Sequence, residues 1–72
     1  MNAYDTLAMR LKRLRKRQHL TQADLAKKAG LTRGYIARLE TGRHDPPLST
    51  LVGLAEALGT TVDKLLRPEG RR

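Results

Sequence analysis

Between Gln22 and Thr41 the order of small and apolar residues leaves few ways to fold. Leu25 and Ala26 are followed by Gly30, four residues after the alanine, and then by Leu31, Ile36 and Leu39. Gly30 supplies the left-handed backbone that ends a helix and reverses the chain. Ala26 is small enough for a second helix to pass directly over it. Leu31 plugs the gap beneath the turn, while Ile36 and Leu39 bind that second helix to the body. Five positions thus meet the needs of two short helices crossing steeply over a turn of three or four residues. A helical hairpin, which also uses Ala and Gly, is the alternative.

The flanking sequence supplies further helices and no strand. Residues 5–18 carry Leu7, Leu11 and Leu14 at helical spacing, with Asp5 or Thr6 as N-cap, and this first helix stops near Gln18 or His19. At 100° per residue Arg10, Arg13 and Arg17 form a basic stripe beside the leucines, and Lys12 and Lys16 point to the other side. Thr21 and Asp24 form a capping box for a second helix from Gln22 to about Lys28. Thr32 caps a third, Arg33 to about Glu40, and Gly42 is its stop signal. Pro46 and Pro47 make the segment from Arg43 to Pro47 a loop. Leu48–Leu58 follows as a fourth helix with a broad apolar stripe, Leu48, Leu51, Val52, Leu54, Ala55 and Leu58, interrupted by Gly53. Thr61 caps a last short helix, Val62–Leu66, ahead of Pro68 and a polar tail. The expectation is a single all-α domain over 1–72, with its core in 5–66 and the tail, 67–72, disordered.

Length and composition remove several functions. Seventy-two residues make one compact domain, too little for a catalytic domain joined to a regulatory one. There is no Cys, and His19 and His44 stand far apart, so no disulfide, metal site or cofactor is expected. One Ser and no spacing that brings a base to a nucleophile argue against an enzyme. With one domain in these residues, no small-molecule effector site is expected. No apolar run approaches the roughly 20 residues of a membrane span, and no signal segment leads the chain, so a cytoplasmic protein is expected. Fifteen Lys and Arg against seven Asp and Glu give a net charge of +8, a field that draws polyanions. Nucleic acid is the leading partner; a merely solubilising surface is the plain alternative.

The stretch LRKRQHLTQADLAKKAGLTRGYIARLETGR, followed by LAEALGTTVDKLL, resembles the Cro and phage-repressor (cI, also called XRE) family of helix-turn-helix regulators from Leu11 to Leu66. The pattern Leu-Thr-Gln-x-x-Leu-Ala, then Gly-Leu-Thr, then Ile-x-x-Leu-Glu-x-Gly carries the likeness. It implies a compact five-helix, lambda-repressor-like domain with its helix-turn-helix at helices two and three, binding double-stranded DNA as a homodimer on a two-fold operator and usually repressing.

With Ile36 and Leu39 turned inward, Arg33, Gly34, Tyr35 and Arg38 remain to face DNA, and the resemblance assigns base reading to the same positions. Arginine donates two hydrogen bonds to guanine O6 and N7, which predicts guanines in the half-site. The plain alternative for Arg33 and Arg38 is phosphate. Gly34 reads nothing itself. Tyr35 offers its hydroxyl to a phosphate or its ring to a thymine methyl. The resemblance places Gln22 on a DNA phosphate and against the start of helix three, with Thr32, Thr41, Arg43 and Arg17 as further backbone contacts; Thr32 is otherwise only a cap. Arg15, beside Leu11, and Glu40, after Leu39, are partly enclosed, and the resemblance implies a salt bridge between them. It also implies a dimer contact at Val62, Leu65 and Leu66, which otherwise complete the core. Two other functions compete: an antitoxin that also binds its own operator, and a nonspecific basic binder of RNA or anionic membrane built on helix one.

Overall fold

The first helix begins at a reciprocal cap. In the computed structural model, which describes residues 2–67, the Asn2 side chain accepts the Asp5 N–H at 2.9 Å, and the Asp5 carboxylate accepts the Asn2 N–H at 3.5 Å. Helix α1 therefore spans Ala3–Arg17, starting two residues before the expected Asp5, because Asp5 is the third residue of a capping box and not the cap. Arg15, Lys16 and Arg17 lie in its last turn, where the helix dipole favours cations. His19 then takes φ 60°, a left-handed conformation that is uncommon for a residue other than glycine.

Four more helices follow among the described residues: α2, Gln22–Ala29; α3, Arg33–Leu39; α4, Leu48–Leu58; and α5, Val62–Leu66. Thr21, Thr32 and Thr61 each accept a backbone N–H three residues on, at Asp24, Tyr35 and Lys64. The chain is all-α, and the described residues contain no strand. Residues 68–72 of the expected tail lie outside the described residues.

Leu7, Leu11, Leu25, Ile36, Leu39, Leu54 and Leu65 are fully buried and join all five helices in one core. Alpha-1 lies against α5, and α2 lies between α3 and α4. Polar ties fix the ends: the Gln18 amide donates to the Leu58 carbonyl at 2.8 Å, and Arg10 Nε donates to the Lys64 carbonyl at 3.0 Å. A Cβ at Gly53 would stand 3.8 Å from the Ala29 carbonyl oxygen, an ordinary contact, so α4 meets α2 there without requiring glycine.

Two expectations change. The apolar stripe of α4 is narrower than its sequence suggests: Leu51, Leu54, Ala55 and Leu58 are buried, whereas Leu48 is 67% exposed and Val52 41% exposed. Neighbouring helices cover one side of α4 and leave the flank through Leu48 and Val52 uncovered. Leu65 is 0% exposed, so it completes the core and is not free for a dimer contact; Val62 and Leu66 are half-buried. Among the described residues no helix is long and apolar enough to cross a membrane.

Candidate nucleic-acid interface

The α2–turn–α3 unit follows from its capping chemistry. Gly30 takes φ 71°, which lets the Leu31 N–H reach back to the Ala26 carbonyl at 2.7 Å and closes α2. Two residues later Thr32 opens α3. Leu25 and Ala26 on one helix and Ile36 and Leu39 on the other are all buried, so the two helices form one packed body.

Four polar residues connect that body to α1. Glu40, the C-cap of α3, accepts from Arg15 Nε at 2.7 Å and from a second Arg15 nitrogen at 3.1 Å, a bidentate pair whose side chains are 3% and 10% exposed respectively. The third Arg15 nitrogen donates to the Leu20 carbonyl at 2.8 Å. The hydrogen bond that it donates to Glu40 holds the Arg15 guanidinium above its ordinary pKa, outweighing the opposite effect of burial. The Gln22 amide nitrogen donates to Glu40 at 3.1 Å, and its carbonyl oxygen accepts from Arg33 at 3.4 Å. A single hydrogen-bonded series thus runs Arg15, Glu40, Gln22, Arg33, from the interior to the first residue of α3.

Gln22 is therefore largely committed within the protein. What it retains for an anion is one amide hydrogen and the N–H groups that a helix start leaves unpaired. On α3, Arg33, Gly34 and Arg38 are exposed. Tyr35 is half-buried and packs on the core; its hydroxyl lies 3.1 Å from His44 Nε2, and the two rings meet edge to face at 4.9 Å. Beyond α3, the Thr41 hydroxyl donates to the Arg38 carbonyl at 2.6 Å and accepts the Arg43 N–H at 3.3 Å. Gly42 is required there: it has φ 79°, and a Cβ would fall 2.8 Å from the Asp5 carboxylate.

The structure thus brings Gln22, Thr32, Arg33, Tyr35, Arg38, Thr41 and Arg43 onto α3 and the segments bordering it. Arg17 lines a groove on α1 with Met9, Lys12, Arg13 and Lys16. Lys12, expected to point away, shares a hollow of about 310 Å³ with Asp5, Ala8, Met9, Glu40 and Thr41, beside the end of α3. Its spacing contained the clue: Lys12 stands three residues before Arg15, and the tie from Arg15 to Glu40 turns that side of α1 toward α3. His44, within the loop that Pro46 and Pro47 predict, is half-buried against Tyr35, and no local pattern signals a contact across nine residues.

The helix-turn-helix family profile matches residues 11–65. The chain is 45% identical over 64 residues to the immunity repressor protein of Bacillus phage phi105, covering 89% of this chain and 44% of that protein. It is 40% identical over 70 residues to the control protein C.SmaI of Serratia marcescens, covering 97% of this chain and 83% of that one. Among solved structures, a hypothetical transcription factor from Neisseria superposes with a TM-score of 0.90 at 31% identity, over 94% of this chain and 78% of the other.

Proposed function

Because this chain belongs to the helix-turn-helix family of DNA-binding transcription regulators, we propose that it is a sequence-specific repressor or controller, acting in the cytoplasm as a homodimer on a two-fold symmetric operator. The observation that carries this reading is the hydrogen-bonded series from Arg15 through Glu40 and Gln22 to Arg33. It references the first residue of α3 to the protein interior, so that Arg33 and Arg38 approach base edges from a fixed frame. A surface meant only to attract polyanions needs no such bracing.

In this reading Arg33 and Arg38 take guanines, Gly34 is silent and Tyr35 lies over the adjoining step. Gln22, Thr32, Thr41 and Arg43 hold phosphates on either side of α3, and Lys12, from its place beside Thr41, joins Arg17 as the α1 contribution. The similarity to proteins named as an immunity repressor and a control protein supports regulation of transcription over the antitoxin reading. For the dimer, exposure favours Leu48 and Val52, with the half-buried Val62 and Leu66 at their side of the contact and Leu65 left to the core. The two α3 helices then stand about 34 Å apart, one DNA turn.

Selection from a random duplex pool at stated salt tests this. A two-fold symmetric consensus is expected, with Arg38→Ala losing about 1–3 kcal/mol of discrimination at one position per half-site. Arg43→Ala is expected to weaken all sequences alike and to flatten the salt slope by about one contact. Failure to enrich any sequence would leave the nonspecific binder as the reading.

A further inference from the structure

Tyr35 has a single polar side-chain atom, and the protein already engages it. Its hydroxyl lies 3.1 Å from His44 Nε2, the His44 ring stands at 83° to the phenol with centroids 4.9 Å apart, and both residues are half-buried. The contact spans the first turn of α3 and the middle of the following loop. The loop's own start is fastened to the last turn of α3 through Thr41, which bonds both the Arg38 carbonyl and the Arg43 N–H. Tyr35 also packs on the core, so its ring is held by the core and its hydroxyl by the histidine.

The chemistry of the pair decides what Tyr35 can offer to DNA. A phenol has one hydrogen to donate, and phosphate oxygens only accept. If His44 Nε2 is the bare nitrogen of the neutral ring, the phenol hydrogen is spent on it, and the hydroxyl has nothing left for a phosphate. The groove then meets the carbon edge of the ring, which matches the C5 methyl of thymine, an apolar group displayed in the major groove.

We propose that His44 is a positioning residue for DNA reading: it holds the Tyr35 hydroxyl and so fixes the phenol ring as an apolar surface for a thymine methyl. This rests on the reading of α3 as the recognition helix, and it adds a base step and a means of recognising it.

The probe is the consensus duplex selected by the wild-type protein, with each thymine replaced in turn by deoxyuridine, which lacks only the methyl. Wild-type protein is expected to lose about fourfold in affinity at one thymine per half-site, the worth of one buried methyl group. His44→Ala should bind the thymine and deoxyuridine duplexes equally, and His44→Gln, whose amide reaches where Nε2 stands, should restore the difference. Tyr35→Phe keeps the ring and its packing but not the tether, so it should behave as His44→Ala does, and the double variant should be no worse than either single one. Nitrogen NMR should place the His44 proton on Nδ1. Two results overturn the proposal while leaving the function intact: no thymine sensitive to deoxyuridine, or undiminished sensitivity in His44→Ala and Tyr35→Phe. A histidine proton on Nε2 would also overturn it, since the phenol hydrogen would then be free for a phosphate. If wild-type protein selects no consensus at all, the proposed function fails first and this inference falls with it.

Discussion

At the scale of residues, the most exacting contact is the pair of Arg15 and Glu40. It is bidentate and both side chains are nearly enclosed, so neither charge has water to fall back on. Glu40→Ala leaves the guanidinium unpaired in the interior, and the expected loss is about 3–5 kcal/mol in chemical denaturation, against less than about 0.5 kcal/mol for the exposed Glu56→Ala. Equal losses for the two variants would show that the pair does not hold the fold. Loss of Glu40 also frees the Gln22 amide, so the binding defect of a folded Glu40 variant should exceed that of Glu56→Ala. The sequence places Arg15 beside Leu11 and Glu40 after Leu39, which makes their enclosure legible, while the pairing itself came from family likeness. The Tyr35–His44 contact was not legible, because two polar-tipped rings separated by nine residues and a loop carry no periodic signal.

At the scale of elements, capping residues settle most boundaries. Thr21 with Asp24, Thr32 and Thr61 open α2, α3 and α5 where their spacing predicts, and Gly30 and Gly59 close α2 and α4 with left-handed backbone. The missed boundary, the start of α1, shows the weakness of apolar periodicity as a guide to ends: the leucine pattern begins at Leu7, whereas the cap lies at Asn2. The second box also gives α2 a defined response to acid. Hydrogen bonds from the Thr21 N–H and hydroxyl hold the Asp24 carboxyl below its ordinary pKa. A carboxylate lowered in the folded state contributes stability above its unfolded pKa, and that contribution is lost as pH falls through the lower, folded value. Asp24→Asn should therefore unfold at a lower denaturant midpoint than the parent at neutral pH. The gap should close toward ~pH 3, below the usual carboxylate range. A gap that is constant with pH would show that the carboxylate charge has no part in the cap.

At the scale of the whole molecule, the five-helix topology was legible because each helix has its own cap and apolar face, whereas the uncovered flank was not. Nothing in Leu48–Leu58 says which of six apolar residues the neighbours will cover; that depends on how far α2 and α5 reach around α4. The outcome leaves Leu48 and Val52 one turn apart in solvent. Replacing both by lysine should leave the thermal midpoint within about 2–4 °C, since exposed positions carry little stability. It should shift sedimentation toward the monomer and weaken a two-half-site operator far more than a single half-site. An unchanged oligomeric state would move the dimer contact to Val62 and Leu66. Gly34 bears on a different property, the capacity to diverge. It lies in the proposed reading edge with no atom within 4 Å of where a Cβ would sit, while Ile36 and Leu39, which hold the same helix in place, are buried. Descendants of this chain can therefore acquire a preference at a new base step by a single codon change, leaving the core as it is, and duplicated copies can part company in the genes they control before they part in structure.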